Sequence, residues 1–94
     1  MNVLSRPGQC GTMESNDIMV AVAPAEAGSG ITINLVSPVI KQYGKQIEAV
    51  IKATLLELEV ADALVQATDK GALDCTIRAR VRVAACRAMQ KEAN

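Results

Sequence analysis

The sequence predicts a small α+β domain. An antiparallel sheet built from two hairpins carries two packed helices, in the order β-β-α-β-β-α. Three observations support this. Apolar and polar residues alternate over short stretches bounded by glycine and proline, as in Ile31-Thr32-Ile33-Asn34-Leu35. A longer stretch, residues 38–59, repeats its apolar residues at helical spacing instead. The chain has 94 residues, the length of one domain.

The elements follow in order. Residues 1–10 lack periodicity and contain Pro7 and Gly8, so they are expected to form a flexible tail, leaving 11–94 as the domain. Residues 11–17 form a polar turn. Residues 18–23 are an apolar strand that Pro24 ends. Gly28-Ser29-Gly30 allows a reversal, so residues 31–35 are expected to return as its hairpin partner.

Ser37-Pro38 signals a helix start: Ser37 can accept from the free first-turn amides, and proline loses nothing at the first helical position. Ile40, Tyr43, Ile47, Val50, Ile51, Thr54 and Leu58 make its apolar stripe. Residues 64–68 form a short strand, and Asp69-Lys70-Gly71 a turn. From Leu73 to Val83 every second residue is apolar, which favours a strand for at least the first part. Ala84, Ala85, Ala88 and Met89 favour a helical end. Ile77, Val81, Ala84 and Ala88 also fit helical spacing, so the changeover is open between Arg78 and Val83.

Composition excludes several functions. Half the residues are hydrophobic, yet Tyr43 is the only aromatic, so the core is aliphatic. The formal net charge is zero, giving no global field toward nucleic acid or an anionic membrane. No apolar run approaches the ~18 residues of a membrane span. Arg6 is followed by no hydrophobic stretch, so no signal peptide is expected. The absence of histidine excludes a Ser-His-Asp triad. Cys10, Cys75 and Cys86 fit no metal or redox spacing, so no metal site is expected. Cys75 and Cys86 fall in apolar patterns and are expected in the core, with Cys10 exposed. All three suit a reducing cytoplasm.

Two runs stand out. In Gly11-Thr12-Met13-Glu14-Ser15-Asn16-Asp17 a hydroxyl sits between carboxylates in a polar turn. Without a base to activate it, Ser15 is a serine on which another enzyme acts, or else an ordinary turn serine. Covalent attachment needs an exposed hydroxyl, a backbone that reaches a modifying enzyme, and room for an arm to swing. The second run is Thr68-Asp69-Lys70-Gly71-Ala72-Leu73-Asp74-Cys75-Thr76-Ile77-Arg78-Ala79-Arg80. On a strand, Arg78, Arg80 and Arg82 would share one face, as an anion-binding strip or as a solvated face paired with Asp69 or Asp74. Zero net charge and the lack of stacking aromatics argue against nucleic acid.

Both runs resemble the citrate lyase acyl carrier protein family, the gamma subunit of that enzyme. The first is similar to its attachment site, Gly-(Thr/Ser)-x-Glu-Ser-x-Asp. The second is similar to its Asp-Lys-Gly-Ala-Leu-(Asp/Glu)-Cys-x-(Ile/Leu)-Arg-Ala-Arg run. The resemblance covers roughly residues 10–90 in the right order; Met13 stands where leucine is common.

The resemblance implies that Ser15 carries 2′-(5″-phosphoribosyl)-3′-dephospho-coenzyme A through a phosphodiester, installed by a transferase. It implies a non-catalytic, cytoplasmic carrier that presents acetyl and citryl thioesters to alpha and beta subunits. Glu14, Asp17, Arg78, Arg80 and Arg82 are the candidates for partner docking. Two other readings stand beside it. One is the related carrier of malonate decarboxylase, which the two runs favour less than citrate lyase. The other is an unmodified interaction module docking through the arginine strip.

Overall fold

A computed structural model describes residues 2–89. Its elements are β1 (Gly8–Cys10), β2 (Ile18–Ala23), β3 (Ile31–Val36), α1 (Ile40–Glu57), β4 (Ala63–Asp69) and α2 (Asp74–Met89). The strands form one sheet in the spatial order β1-β2-β4-β3. One face carries both helices, which pack on each other and on the strands. Ile18, Val20 and Val22 of β2 point into this layer beside Ala63, Val65 and Ala67 of β4. Ile47, Ile51 and Leu55 of α1 and Ile77, Val81, Ala84, Ala85 and Ala88 of α2 meet them. The α+β class and the two packed helices are as the sequence predicts.

The connections differ. β2 and β3 do not form a hairpin, because β4 lies between them, antiparallel to β2 and parallel to β3. A parallel pair needs a long crossover, and α1 supplies it. The glycine loop signalled a reversal but could not specify the partner. β4 becomes an interior strand, with alternate side chains along its whole length buried. Asp62, just before β4, holds the loop by accepting from the Gly28 and Gly30 amides at 3.1 and 2.8 Å.

The second expected hairpin is absent as well. Residues 74–89 are helical throughout, so among the described residues no strand follows Gly71. The alternation from Leu73 to Val83 competed with a 3.6-residue pattern, and the core selected the latter. Ile77, Val81, Ala84 and Ala88 are fully buried, whereas Leu73 is 71% exposed. Asp74 in the first turn and Arg87 in the last complement the helix dipole. Cys75 and Cys86 therefore lie exposed on α2, and Cys10 is half-buried, opposite to expectation.

Residues expected in the tail pack on the domain. Leu4 is buried in the core. The Ser5 and Arg6 amides donate to the Ala88 carbonyl at 2.9 and 3.2 Å. β1 extends the sheet beside β2. Alanines let α2 approach β1 so closely that a Cβ on Gly8 would overlap the Ala84 carbonyl and the Ala88 amide. Gly8→Val should therefore lower stability by about 1–3 kcal/mol. Urea denaturation checks this, and an unchanged midpoint would contradict the close packing.

α1 starts two residues later than expected. Ser37 gives no side-chain cap to the helix. Its hydroxyl instead donates to Asp69 at 2.8 Å while accepting from the Val39 amide at 3.2 Å. Tyr43, expected on the core stripe, is 52% exposed. Among the described residues, no helix is long and apolar enough to cross a membrane.

Candidate functional site

Ser15 lies at the tip of the connection between β1 and β2. The turn is closed by the Asp17 amide, which donates to the Glu14 carbonyl at 3.2 Å. Asn16 takes a positive φ of 68°, a conformation that asparagine adopts more readily than most residues. At Gly11 the chain turns with φ 110°, where a side chain would overlap the Ile18 carbonyl oxygen. The turn is sewn to the end of β4. The Asn16 amide donates to the Lys70 carbonyl, and the Lys70 amide to the Asp17 carbonyl, both at 2.8 Å.

Beneath this turn sits Asp17, a buried carboxylate with four donors. One oxygen accepts from the Ile18 amide at 2.7 Å and Arg80 Nε at 3.0 Å. The other accepts from the Thr12 hydroxyl at 2.7 Å and an Arg80 Nη at 2.9 Å. The arginine contact is bidentate, which fixes orientation as well as distance. The Thr12 oxygen in turn accepts from the Glu14 amide at 3.2 Å. A polar chain thus runs from α2 through Asp17 and Thr12 to the residue before Ser15. The guanidinium of Arg80 holds the Asp17 carboxyl well below the usual carboxylate range, helped by the Thr12 hydroxyl and the Ile18 amide. Asp17, and to a lesser degree the Cys10 sulfur, raise the pKa of Arg80.

This pairing sets a sign for pH dependence. The folded pKa of Asp17 is depressed, so its stabilisation is complete above the unfolded value of ~3.9 and is lost as pH falls toward the folded one. Asp17→Asn should therefore flatten the loss of stability with acid below about pH 4. Urea midpoints measured down the pH scale check this. Parallel curves for variant and wild type would contradict it.

The expected site residues do not share one role. Glu14 and Ser15 are exposed. The Ser15 hydroxyl makes no hydrogen bond to the described residues. Asp17 is turned inward and already paired. The arginine strip is not a strip: on a helix each residue advances about 100°, so Arg80 faces away from Arg78 and Arg82. Arg80 reaches Asp17, and Arg82 reaches Glu57 of α1 at 3.0 Å with both side chains about half exposed. Arg78 is exposed, with no ion pair to the described residues. Asp69 and Asp74, considered as partners for the row, instead accept from Ser37, the Ala72 amide and Gln46.

Sequence reasoning missed the clamp. Thr12 and Arg80 hold the turn on which Ser15 sits, and the two separate runs, 11–17 and 68–80, meet in space. Their joint presence in one short chain was the available signal. An exposed hydroxyl without an internal partner, on a turn whose base is fixed, fits covalent attachment of a long group. Among the described residues no set of His, Cys, Asp and Glu could hold a metal ion.

Comparison with known proteins shows the family. The family model described as malonate decarboxylase delta subunit (MdcD) matches residues 5–88. The citrate lyase acyl carrier protein of Streptococcus mutans is 55% identical over 82 residues, 87% of this chain and 79% of the relative. That of Cronobacter sakazakii is 52% identical over 82 residues, covering 87% and 82%. That of Lacticaseibacillus casei is 49% identical over 85 residues, covering 90% and 82%. Among solved structures, a chain of a Pseudomonas malonate decarboxylase hetero-tetramer in complex with malonate matches with a TM-score of 0.68. It is 18% identical and overlaps 92% of this chain and 91% of that one, a likeness of fold. With identities near one half along most of its length, the chain belongs to the citrate lyase acyl carrier proteins, and is a carrier subunit rather than a catalyst.

Proposed function

We propose that Ser15 bears a phosphoribosyl-dephospho-coenzyme A group and that the chain serves citrate cleavage with alpha and beta subunits. The observation that carries this is the exposed Ser15 hydroxyl, without a hydrogen bond to the described residues, on a turn held by the Asp17–Arg80 pair. When bound, the group supplies a terminal thiol that carries an acyl unit as a thioester. The chain's own residues present the attachment oxygen and hold its turn still. Glu14, exposed beside Ser15, gives the transferase a carboxylate to read. The inward pairing of Asp17 favours a supporting role over direct docking. Three free cysteines suit a reducing, cytoplasmic setting.

The relatives' name favours citrate over malonate, although the family model carries the malonate decarboxylase description. Reconstitution discriminates. The loaded chain, mixed with alpha and beta subunits, should support citrate-dependent formation of oxaloacetate. Decarboxylation of malonate when it is mixed with the subunits of a malonate decarboxylase, with no turnover of citrate in the first mixture, would assign it to the other complex.

For partner docking, Arg78 is the member of the arginine row without an ion pair among the described residues. Arg78→Glu should weaken association with the larger subunits, chiefly by slowing encounter at low salt. Binding kinetics over a salt series check this. Unchanged rates and salt slopes would leave Arg78 a solvated side chain.

A further inference from the structure

A groove of about 410 Å³ opens between the first turns of α1 and the β4–α2 connection. Val39, Tyr43, Ile47, Ala72 and Leu73 give it apolar walls. Tyr43 and Leu73 are 52% and 71% exposed, so large apolar side chains face solvent there without serving the core. Its two carboxylates are paired. Asp69 accepts from the Ser37 hydroxyl and the Ala72 amide, and Gln46 donates to Asp74 at 3.2 Å. No lysine or arginine lines it.

The groove begins beside the Ser15 turn. Gly71 lines it, and a Cβ on Gly71 would come within 3.6 Å of the Asn16 side-chain oxygen. The preceding residue, Lys70, bonds the backbone of Asn16 and Asp17. An occupant tethered at Ser15 therefore reaches the groove without crossing the domain.

Resting on the carrier reading above, we propose that this groove receives the pantetheine end of the arm borne on Ser15, folded back against the carrier between visits to its partners. Charge selects which part of the arm enters. Two carboxylates and no cation disfavour the phosphates, whereas apolar walls suit a neutral chain of amides, methylenes and methyl groups. Tethering makes weak affinity sufficient, since a flexible link gives an effective concentration on the order of millimolar. The same weakness lets a partner subunit withdraw the arm.

NMR tests this on the ¹⁵N-labelled chain, loaded by co-expression with its transferase and checked by intact mass. Loading should shift the amides of Tyr43, Gln46, Ala72 and Leu73 as well as those of residues 14–17. Nuclear Overhauser contacts should join the arm's methyl groups to Leu73 and the Tyr43 ring. Leu73→Glu, at an exposed position, should abolish these contacts and the groove shifts while keeping the mass increment and the changes around Ser15. A loaded chain whose changes are confined to residues 14–17 would overturn the groove's role and leave the carrier reading intact. Groove shifts that appear only on adding the alpha subunit would give the groove to a partner and also overturn it. A chain whose mass does not increase would refute the carrier reading, and this proposal with it.

Discussion

Ser15→Ala is expected to eliminate prosthetic-group attachment and all activity of a reconstituted complex. Removing one exposed hydroxyl deletes the only atom that the proposed phosphodiester can use at this position. The fold should not notice. Among the described residues the Ser15 hydroxyl makes no hydrogen bond, and surface substitutions of this kind usually stay within about 0.5 kcal/mol. Two measurements separate these effects: the mass of the co-expressed chain, and its urea midpoint. A variant that accepts the group at the wild-type rate would remove Ser15 from the site.

The second large effect concerns the clamp below the serine. Arg80→Ala leaves Asp17 with two of its four donors, and Asp17→Ala leaves Thr12 without its acceptor and Arg80 with only the Cys10 sulfur at 3.8 Å. Either change should free the Glu14–Asp17 turn. Loss of positioning can slow a reaction by on the order of 10- to 100-fold, and transfer to Ser15 is expected to slow on that scale. The two residues act through one contact, so the double variant should be little worse than either single one. Arg80→Lys should restore only part of the rate, because an ammonium cannot reproduce the two-pronged fit. The rate of mass increase with purified transferase is the readout. Full rates in both single variants would show that the turn needs no support from α2.

The clamp also explains how much of this protein could be seen in its sequence. The strand at 18–23, the strand at 31–36 and the long helix each announce their own period, because each buries one face against the core. Their partners were not legible. Strand pairing is decided by burial across the whole domain, so Gly28-Ser29-Gly30 suggested a hairpin where β4 inserts instead. Residues 73–83 carry both periods at once. Only packing against α1, β1 and β2 selects the helix, and with it the direction in which Arg80 points. Gly8 and Leu4 were hidden for a related reason: a three-residue edge strand is too short to show periodicity.

The site divides the same way. Ser15 and Glu14 are local features and were legible as an exposed polar turn. Asp17 was visible as a residue but misjudged in role, since nothing local shows that it points inward. Its partner lies 63 positions away on an element whose type was itself ambiguous. Reading Arg78, Arg80 and Arg82 as a strip came from taking the alternation over 73–83 for a strand, and the 68–80 run was treated as a separate feature. In the fold it is the support of the first run: Lys70 holds the turn by its backbone and Arg80 by its side chain.

The measurement that bears most directly on the carrier reading is peptide mapping by mass spectrometry of the chain co-expressed with its transferase. The expected result is a mass increment equal to one phosphoribosyl-dephospho-coenzyme A, fragmenting from Ser15 and absent from Ser15→Ala. An increment on another residue, or an unmodified chain in the presence of active transferase, would contradict it.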